Sequence, residues 1–154
     1  MRTHTLAAAL TIFLALIVLG GYVVATSQAV IAKVSVFYLP YRVDLSRPPK
    51  WGIYAIIVPP RGHRPGDINP DTILLEKTLA PISTSSSPIW FIAKFDSHDV
   101  VDIILAKITY HDFVYQGKYT VSLQISGEFK DGTLFEGTGK IVATISEWPS
   151  PFSN

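Results

Sequence analysis

The chain has 154 residues, of which 48% are hydrophobic and 16% are charged, and its formal net charge is +1. Average soluble domains carry about 25% charged residues, so this chain is apolar for its size, and its length allows one domain. Arg2 is the only charged residue in 1–32, and the rest of the chain balances 12 basic against 12 acidic residues. That neutrality argues against a nucleic-acid binder. The lack of cysteine excludes disulfides, thiolate metal sites and a cysteine nucleophile.

A run of nineteen uncharged residues lies near the start of the chain; it begins at Leu6, includes Phe13 and ends at Val24. As a helix rising about 1.5 Å per residue, it would span roughly 28 Å, close to the hydrocarbon thickness of a bilayer. Residues 1–32 are therefore predicted to be a transmembrane or signal-anchor helix. The alternative is a cleaved secretory signal peptide, because small residues precede a possible cleavage point after Ala29.

The orientation of this segment is indicated by two conflicting signals. Basic residues follow the run at Lys33, Arg42, Arg47 and Lys50, and the positive-inside rule would place them in the cytoplasm. Arg2 and the amino terminus favour the opposite orientation. Because the short polar start resembles an export signal, we expect a single-pass membrane protein with its C-terminal domain outside the cytoplasm. If the segment is cleaved, we expect a secreted or cell-surface protein.

Residues 33–146 are predicted to form an antiparallel β-sandwich of about seven short strands. Short apolar segments are separated there by Pro, Gly and Asp, and Tyr119–Ile125 alternates apolar with polar residues as a half-buried strand does. The predicted strands cover 34–39, 51–58, 72–75, 89–95, 119–125, 133–135 and 140–145. Regularly spaced strands of this kind are typical of a sandwich, with a small barrel as the alternative.

Glycines indicate how the last two segments are connected. Asp131-Gly132 can adopt the positive φ values of a type I′ turn, so a hairpin is predicted at this point. Gly137 and Gly139 are predicted to mark a bulge or bend in the returning strand. The uncharged stretch 83–87 is predicted to be a mobile connection between strands.

One segment departs from the strand pattern. Residues 96–105 place Val100, Val101, Ile104 and Leu105 at helical spacing, after Asp96 or Ser97 as a possible N-cap. The early Asp residues suit the positive end of a helix dipole. A helix of about two turns is predicted to lie across one edge of the sandwich.

A wider pattern of turn and core residues runs through 34–145. Its first half contains Pro40, Leu45, Trp51 to Val58, Pro59, Gly62 and 67–73; its second half contains 93–96, Val100, Leu105, Gly117 and 125–137. This pattern resembles an immunoglobulin-like sandwich module that recurs in secreted and surface proteins of archaea and bacteria. The resemblance implies a non-catalytic module, often appended to other proteins, and it carries no site residues with it.

Three oxygen-bearing side chains alternate in one loop, at Asp67, Asn69 and Asp71. Such spacing occurs where oxygen ligands surround calcium, but the Gly and terminal Glu of a calcium loop are missing. The alternative is an Asx-rich turn whose backbone is set by Pro70. These residues are weak calcium candidates only, and no resident metal is predicted.

No catalytic residue or cofactor site is predicted elsewhere. Asp96, His98, Asp99 and Asp102, with His111-Asp112 nearby, could hold a metal or activate water, but a capped surface helix explains them equally well. Exposed aromatic residues could recognise glycans, although strand cores use aromatic residues routinely. We therefore expect a protein that is not an enzyme.

The predicted function is that of a structural or accessory subunit of a cell-envelope assembly, which contacts the membrane through its N-terminal helix and binds protein partners or copies of itself. The alternatives are a glycan- or calcium-binding module and an extracellular filament subunit. In the filament, residues 30–43, with Val34, Val36 and Tyr38, would complete a neighbour's sheet. Trp148 and Phe152 in the tail 147–154 imply docking, and residues 33–64 carry a net charge of +5 against −5 in 65–154.

Overall fold

The computed structural model describes residues 30–109 and 118–146, which form two β-sheets and one α-helix. Its elements are β1 (Ala32–Lys33), β2 (Ser35–Leu39), β3 (Arg42–Asp44), β4 (Ile53–Val58), β5 (Leu74–Leu75), β6 (Ser83–Ser86), β7 (Phe91–Phe95), α1 (Ser97–Thr109), β8 (Lys118–Glu128) and β9 (Leu134–Thr144). Two short 3-10 helices, Pro65–Asp67 and Pro70–Thr72, lie between β4 and β5. The predicted mainly β fold is confirmed, but the sheets are not purely antiparallel as predicted, because β1 and β3 pair parallel with β9.

The strands form two separate sheets, as a sandwich requires and a closed barrel does not. Sheet A has the order β1-β9-β8-β5, and β3 also pairs with β9. Sheet B has the order β2-β4-β7-β6. The core contains apolar residues of both sheets, and its largest fully buried side chains include Phe95, Phe129 and Phe135. Burial of this apolar surface is the main force that holds the layers together.

Residues 32–44 belong to both sheets. β1 runs parallel to β9, β2 then pairs antiparallel with β4 in sheet B, and β3 returns to pair parallel with β9. The segment that crosses between the sheets passes over Gly137 and Gly139 of β9. An added Cβ atom would lie 2.4 Å from the Val34 carbonyl oxygen at Gly137 and 2.7 Å from the Val36 carbonyl oxygen at Gly139. β9 pairs continuously with β8 from Leu134 to Thr144, so the predicted bulge is wrong. The two glycines instead make room for the crossing strand.

The β8–β9 hairpin is present, but its turn is not the predicted type I′ turn. The Gly132 N–H donates to the Phe129 carbonyl oxygen at 2.9 Å, and Gly132 has a φ of 86°. Asp131 is not among the described residues of positive φ, which a type I′ turn requires at both central positions. The observed loop therefore has three residues, with only glycine in the left-handed region.

A type I′ geometry occurs instead between β5 and β6. Glu76 and Lys77 have φ values of 50° and 63°, and the Thr78 N–H donates to the Leu75 carbonyl oxygen at 3.1 Å. Neither residue favours this conformation intrinsically. The Glu76 carboxylate compensates by accepting the Gln124 N–H at 2.7 Å, so the turn is fixed against β8.

The predicted helix is confirmed and is longer than expected. α1 has 13 residues, and the Asp96 carboxylate caps it by accepting the His98 N–H at 2.8 Å. Val100 and Ile104 are fully buried, but Leu105 is exposed, so its predicted place on the apolar face is wrong. Leu105 lies about one turn after the buried Val101, at the flank of the apolar side of the helix, where it is 37% exposed.

Residues 83–86 form strand β6 rather than the predicted mobile connection. They pair antiparallel with β7 along the edge of sheet B, from Ser83 opposite Lys94 to Ser86 opposite Phe91. All four side chains are exposed. A strand at a sheet edge can form through its main-chain hydrogen bonds without burying apolar side chains, which explains the missing hydrophobic signal.

The predicted membrane span, with Leu6, Phe13 and Val24, lies outside the described residues, as does the C-terminal tail. Within residues 30–109 and 118–146, no helix is both long enough and apolar enough to cross a bilayer.

Candidate docking face

The two outer faces of the sandwich differ in polarity. On sheet A, the outward residues of β8 and β9 are mainly polar and include Ser122 opposite Lys140, Gln124 opposite Thr138 and Ser126 opposite Glu136. This is the usual arrangement of an antiparallel sheet with one solvated side. On sheet B, the outward residues of β2, β4 and β7 are mainly apolar, with Ser35 and Lys94 as the polar exceptions.

The outer surface of sheet B is apolar across three strands. In one row Phe37 lies opposite Ile56 and Ile56 opposite Ile92; in the next, Leu39 lies opposite Tyr54 and Tyr54 opposite Lys94. Phe37 is 58% exposed and Leu39 is 48% exposed. We call this surface the apolar face. It consists of the six residues of these two rows and of three residues at the ends of the rows: Phe37, Leu39, Trp51, Tyr54, Ile56, Val58, Trp90, Ile92 and Lys94.

Trp51 and Tyr54 form an aromatic platform at one end of the apolar face. Their rings stack with centroids 5.6 Å apart, and the Tyr54 hydroxyl donates to the Trp51 carbonyl oxygen at 3.2 Å. The Lys94 ammonium lies 5.7 Å from the centre of the Tyr54 ring, within the range of a cation–π interaction. Trp51 is 51% exposed, so the platform offers one broad aromatic surface to its surroundings.

Gly52 permits the platform to form. Its φ is 98°, and an added Cβ atom would lie 2.8 Å from Lys94 Cε and 3.0 Å from the Phe95 carbonyl oxygen. A larger residue would therefore strain the backbone and push the Lys94 side chain away from Tyr54. The glycine holds the chain close to β7 at the point where β4 begins.

A tight turn presents two further apolar residues at the other end of the face. The Ser87 hydroxyl oxygen accepts the N–H groups of Ile89 and Trp90 at 3.3 and 3.1 Å. The Ser87 hydroxyl and N–H both donate to the Trp90 carbonyl oxygen. This turn fixes the β6–β7 connection and leaves Ile89 64% and Trp90 41% exposed.

Basic residues occur in the connections that precede and follow β4. The connection before Trp51 and the connection after Val58 carry exposed side chains of one sign, at Arg47, Lys50, Arg61 and Arg64. Lys94 is the only charged residue within β2, β4, β6 and β7. Acidic residues lie beside both connections: the Ser97 hydroxyl at the start of α1, between Asp96 and Asp99, donates to the Pro49 carbonyl oxygen, and the Arg64 N–H donates to the Asp67 carboxylate. The outer side of sheet B is therefore mainly apolar, with Lys94 as the one charged residue of its strands.

Asp44 is the one acidic residue in 33–64, and it is engaged at the edge of sheet A. Its carboxylate accepts the Ser146 hydroxyl at 2.6 Å and the Ser46 N–H at 2.9 Å. These hydrogen bonds, chiefly the one from Ser146, lower the pKa of Asp44 below its usual range. Asp44 thus stabilises the end of β3.

Of the weak calcium candidates, Asp67 and Asp71 lie in the two 3-10 helices and Asn69 precedes the second as its N-cap. The Asp67 carboxylate accepts the Arg64 N–H at 2.7 Å, and the Asn69 side-chain oxygen accepts the Asp71 N–H at 3.3 Å. The Asn69 contact is that of an Asx turn and the Asp67 contact caps the first 3-10 helix, so both side chains serve the local backbone. In the described residues, no three His, Asp or Glu side chains are grouped so that they could hold a metal ion.

The residues predicted for assembly are divided between the core and the undescribed tail. Val34, Val36 and Tyr38 are buried in the core of their own chain. The Tyr38 hydroxyl donates to the Leu123 carbonyl oxygen at 3.1 Å, and burial, with a smaller effect of the Glu76 charge, raises the pKa of Tyr38. Trp148 and Phe152 lie outside the described residues.

The sequence interpretation did not identify the apolar face, although the sequence contains a signal for it. The segments Val34–Leu39 and Ile53–Val58 are nearly continuous apolar runs, with no polar residue at alternate positions of β4. Such runs are typical of strands covered on both sides. Since the structure covers only the inner side, the outer side is left as a candidate docking surface.

Comparisons of this chain with protein-family models, with curated proteins and with solved structures found no significant match.

Proposed function

We propose that this protein is a non-enzymatic, membrane-tethered β-sandwich that acts outside the cytoplasm as a structural or accessory subunit of a cell-envelope assembly. The observation that carries the proposal is the unequal polarity of the two outer faces. A contiguous apolar surface rimmed by polar residues is a common mark of a contact surface. Here the contact surface belongs to strands that follow closely after the uncharged run Leu6–Val24.

The tether supports the same proposal. Seven residues separate Val24 from β1, which begins at Ala32. An extended chain covers at most about 3.6 Å per residue, so the sandwich would stay within roughly 30 Å of a membrane that holds the uncharged run. A domain held so close to a bilayer meets other envelope components at a high effective concentration.

The finer assignment of the sandwich is part of this proposal. We propose an immunoglobulin-like module, supported by the two-sheet arrangement and by the N-terminal strand that pairs with both sheets. Such sandwiches serve many unrelated functions, so the fold itself does not specify the partner.

Cell fractionation and sedimentation test the proposed function. Membranes of cells that express the full chain are washed with alkaline carbonate, extracted in mild detergent and analysed on a density gradient. We expect the chain to remain with the washed membranes. After extraction, we expect it to sediment faster than one 17.0 kDa chain bound to a detergent micelle would. Release by carbonate would contradict the tether, and a dispersed monomer at high concentration would contradict the subunit role.

Cysteine labelling tests the location. The chain has no cysteine, so a single Ser85→Cys substitution on the exposed strand β6 introduces a unique thiol. We expect a membrane-impermeant maleimide to label this thiol on intact cells. Labelling only after the cells are broken would place the sandwich inside and refute the proposed orientation.

A second candidate function, glycan binding, is favoured by the exposed Trp51–Tyr54 platform. Aromatic faces of this size can stack against the apolar face of a sugar ring. Calorimetric titration of the full chain in detergent with envelope polysaccharide tests this candidate, and Trp51→Ala should abolish the heat. A titration without heat for the unsubstituted chain would eliminate it.

A further inference from the structure

We infer that strand β6 pairs antiparallel with β6 of a second copy of this chain, with Ser85 opposite Ser85 of that copy. The inference adds a partner to the proposed subunit role, but it rests on the described strands and not on the membrane tether. The pairing would join two four-stranded copies of sheet B edge to edge, with both apolar faces on the same side.

β6 has unpaired main-chain groups along its outer side. It forms one edge of sheet B, and in the part of the chain that the structure describes only β7 pairs with it. The Ser87 N–H donates to the Trp90 carbonyl oxygen at 2.9 Å. Because hydrogen-bonded pairs alternate in an antiparallel ladder, Ser85 is the next residue of β6 that bonds to β7. The N–H and C=O groups of Thr84 and Ser86 are therefore directed away from β7, where another strand can bind them.

The edge lacks the features that commonly prevent strands from pairing. Natural proteins often protect an edge strand with charged side chains or with proline in the strand. β6 consists of Ser83–Ser86, which contains neither, and all four of its side chains are exposed. Residues 79–90 contain no charged side chain at all. β6 therefore suits a partner that contributes an extended, uncharged strand.

The residues beside β6 favour a second copy as that partner. Two antiparallel copies of one strand are related by a two-fold axis, so residues equally far before and after Ser85 lie opposite each other. Ile82 would lie opposite Pro88 of the second copy and beside its Ile89. Ile82 is 59% and Ile89 is 64% exposed in the single chain. The pairing would thus cover exposed apolar side chains at both of its ends.

The charges on the strands of sheet B do not oppose the pairing. Lys94 is the one charged residue of these strands, and it lies opposite Ser83 at one end of β6. The two-fold axis places Lys94 of the second copy at the other end, across three strand spacings of about 4.8 Å each. Exposed like charges at more than about 10 Å are largely screened at physiological ionic strength.

The register supplies main-chain hydrogen bonds and a site for a chemical test. Thr84 of each copy lies opposite Ser86 of the other, and each such pair can exchange two main-chain hydrogen bonds. Ser85 and its counterpart form the pair between them that exchanges no bonds, with Cα atoms about 4.5 Å apart. Cysteines at this position would be close enough to form a disulfide.

Disulfide formation at position 85 tests the register. Because the chain has no cysteine, Ser85→Cys carries one thiol, and Thr138→Cys on the exposed outer side of sheet A is the matched control. The full-length variants are reduced in mild detergent, freed of reductant and oxidised with copper phenanthroline. We expect Ser85→Cys to form a covalent dimer many times faster than Thr138→Cys. Equal rates would show random collision and would overturn the inference.

Thr84→Pro tests the main-chain bonds. Proline removes the outward N–H of this residue without removing a bond to β7, so sheet B keeps its own pairing. Thr84→Val is the matched control, because it retains the N–H and the branched shape. We expect Thr84→Pro to weaken dimerisation about tenfold or more in sedimentation equilibrium, and Thr84→Val to leave it unchanged. Circular dichroism checks that both variants keep the β fold.

Three results would overturn the inference. The unsubstituted chain could remain monomeric at every concentration. Thr84→Pro and Thr84→Val could dimerise equally, which would place the contact away from the edge. Another protein could be released by Thr84→Pro while Ser85→Cys forms no covalent dimer, which would assign the edge to a different partner.

The alkaline carbonate wash separates this inference from the proposed function. A chain that resists the wash and sediments as a complex, but forms no disulfide at position 85, keeps the proposed function and refutes only the pairing of β6. A chain that is released by the wash and still forms the disulfide refutes the tether and supports the pairing.

Discussion

Gly137 in β9 lies directly beneath the crossing N-terminal strand, and a Cβ atom added there would lie 2.4 Å from the Val34 carbonyl oxygen. The strand cannot move away from β9 without breaking a main-chain hydrogen bond, because the Val34 N–H donates to the Glu136 carbonyl oxygen at 3.0 Å. The Lys33 ammonium also pairs with Glu136 and lowers the pKa of that carboxyl. Gly137 therefore sets the distance at which residues 32–44 close this side of the sandwich.

Gly137→Ala should destabilise the folded chain by about 1–3 kcal/mol, the usual cost of adding atoms to a well-packed site. The contact partner is backbone, so no change of side-chain rotamer relieves it. Urea unfolding of the full chain in mild detergent, followed by tryptophan fluorescence, measures the change. Gly66→Ala is the matched control, because a Cβ atom at Gly66 meets nothing within 4 Å. Equal midpoints for the two variants would show that the crossing strand is not packed against β9.

Tyr38→Phe should destabilise the chain by about 0.5–1.5 kcal/mol, because it removes the hydrogen bond to the Leu123 carbonyl oxygen in the core. Tyr54→Phe is the control, since its hydroxyl donates to the Trp51 carbonyl oxygen near the surface. We expect the control to change stability by less than about 0.5 kcal/mol. Thermal unfolding at neutral pH distinguishes the two, and a control that loses as much as Tyr38→Phe would contradict the expectation.

The same hydroxyl should make the fold sensitive to alkali. Burial raises the pKa of Tyr38 in the folded state well above the unfolded value near 10. The stabilisation is present below pH 10 and is lost as the pH rises, because the unfolded state then releases a proton that the folded state retains. This one group should reduce the free energy of unfolding by about 1.4 kcal/mol per pH unit above pH 10. The decline between pH 10 and 11 should be smaller in Tyr38→Phe; an identical decline would show that Tyr38 titrates normally.

Lys77→Gly should stabilise the chain by up to about 1 kcal/mol, because glycine adopts positive φ without the steric cost that lysine pays. Thr78→Gly, one residue later and outside the left-handed region, should destabilise it, because glycine there only adds freedom to the unfolded chain. Denaturant midpoints of the two variants should therefore shift in opposite directions. A loss of stability in Lys77→Gly would show that the turn does not have the described geometry.

The sequence predicted those features that arise from local patterns, and it failed where distant segments meet. The alternation in 119–125 and the cap at Asp96 gave strand β8 and helix α1. The role of Gly137 could not be predicted, because the strand that crosses it lies about 100 residues earlier in the chain. The type I′ turn at Glu76–Lys77 was missed for a similar reason, since its stabilising contact comes from Gln124 in β8.

Ile56 and Ile57 are adjacent in β4 and point to opposite sides of sheet B, so they separate the core from the apolar face. Ile57 is 0% exposed, whereas Ile56 lies in the outward row with Phe37 and Ile92. Ile57→Thr should cost about 2–4 kcal/mol, because it removes buried apolar atoms and places a hydroxyl among apolar neighbours. Ile56→Thr should cost less than about 1 kcal/mol, since Ile56 is only half-buried and a β-branched threonine suits an outward strand position.

The same pair tests whether the face is a contact surface. Ile56→Thr should reduce the binding of a hydrophobic dye to the folded chain, while Ile57→Thr acts only through unfolding. Dye fluorescence at a temperature where both variants are folded makes this comparison. If Ile56→Thr destabilises the fold as strongly as Ile57→Thr, the outer side of β4 is packed within the protein rather than presented to a partner. If Ile56→Thr is stable but binds the dye as the unsubstituted chain does, the contact surface lies elsewhere on the domain.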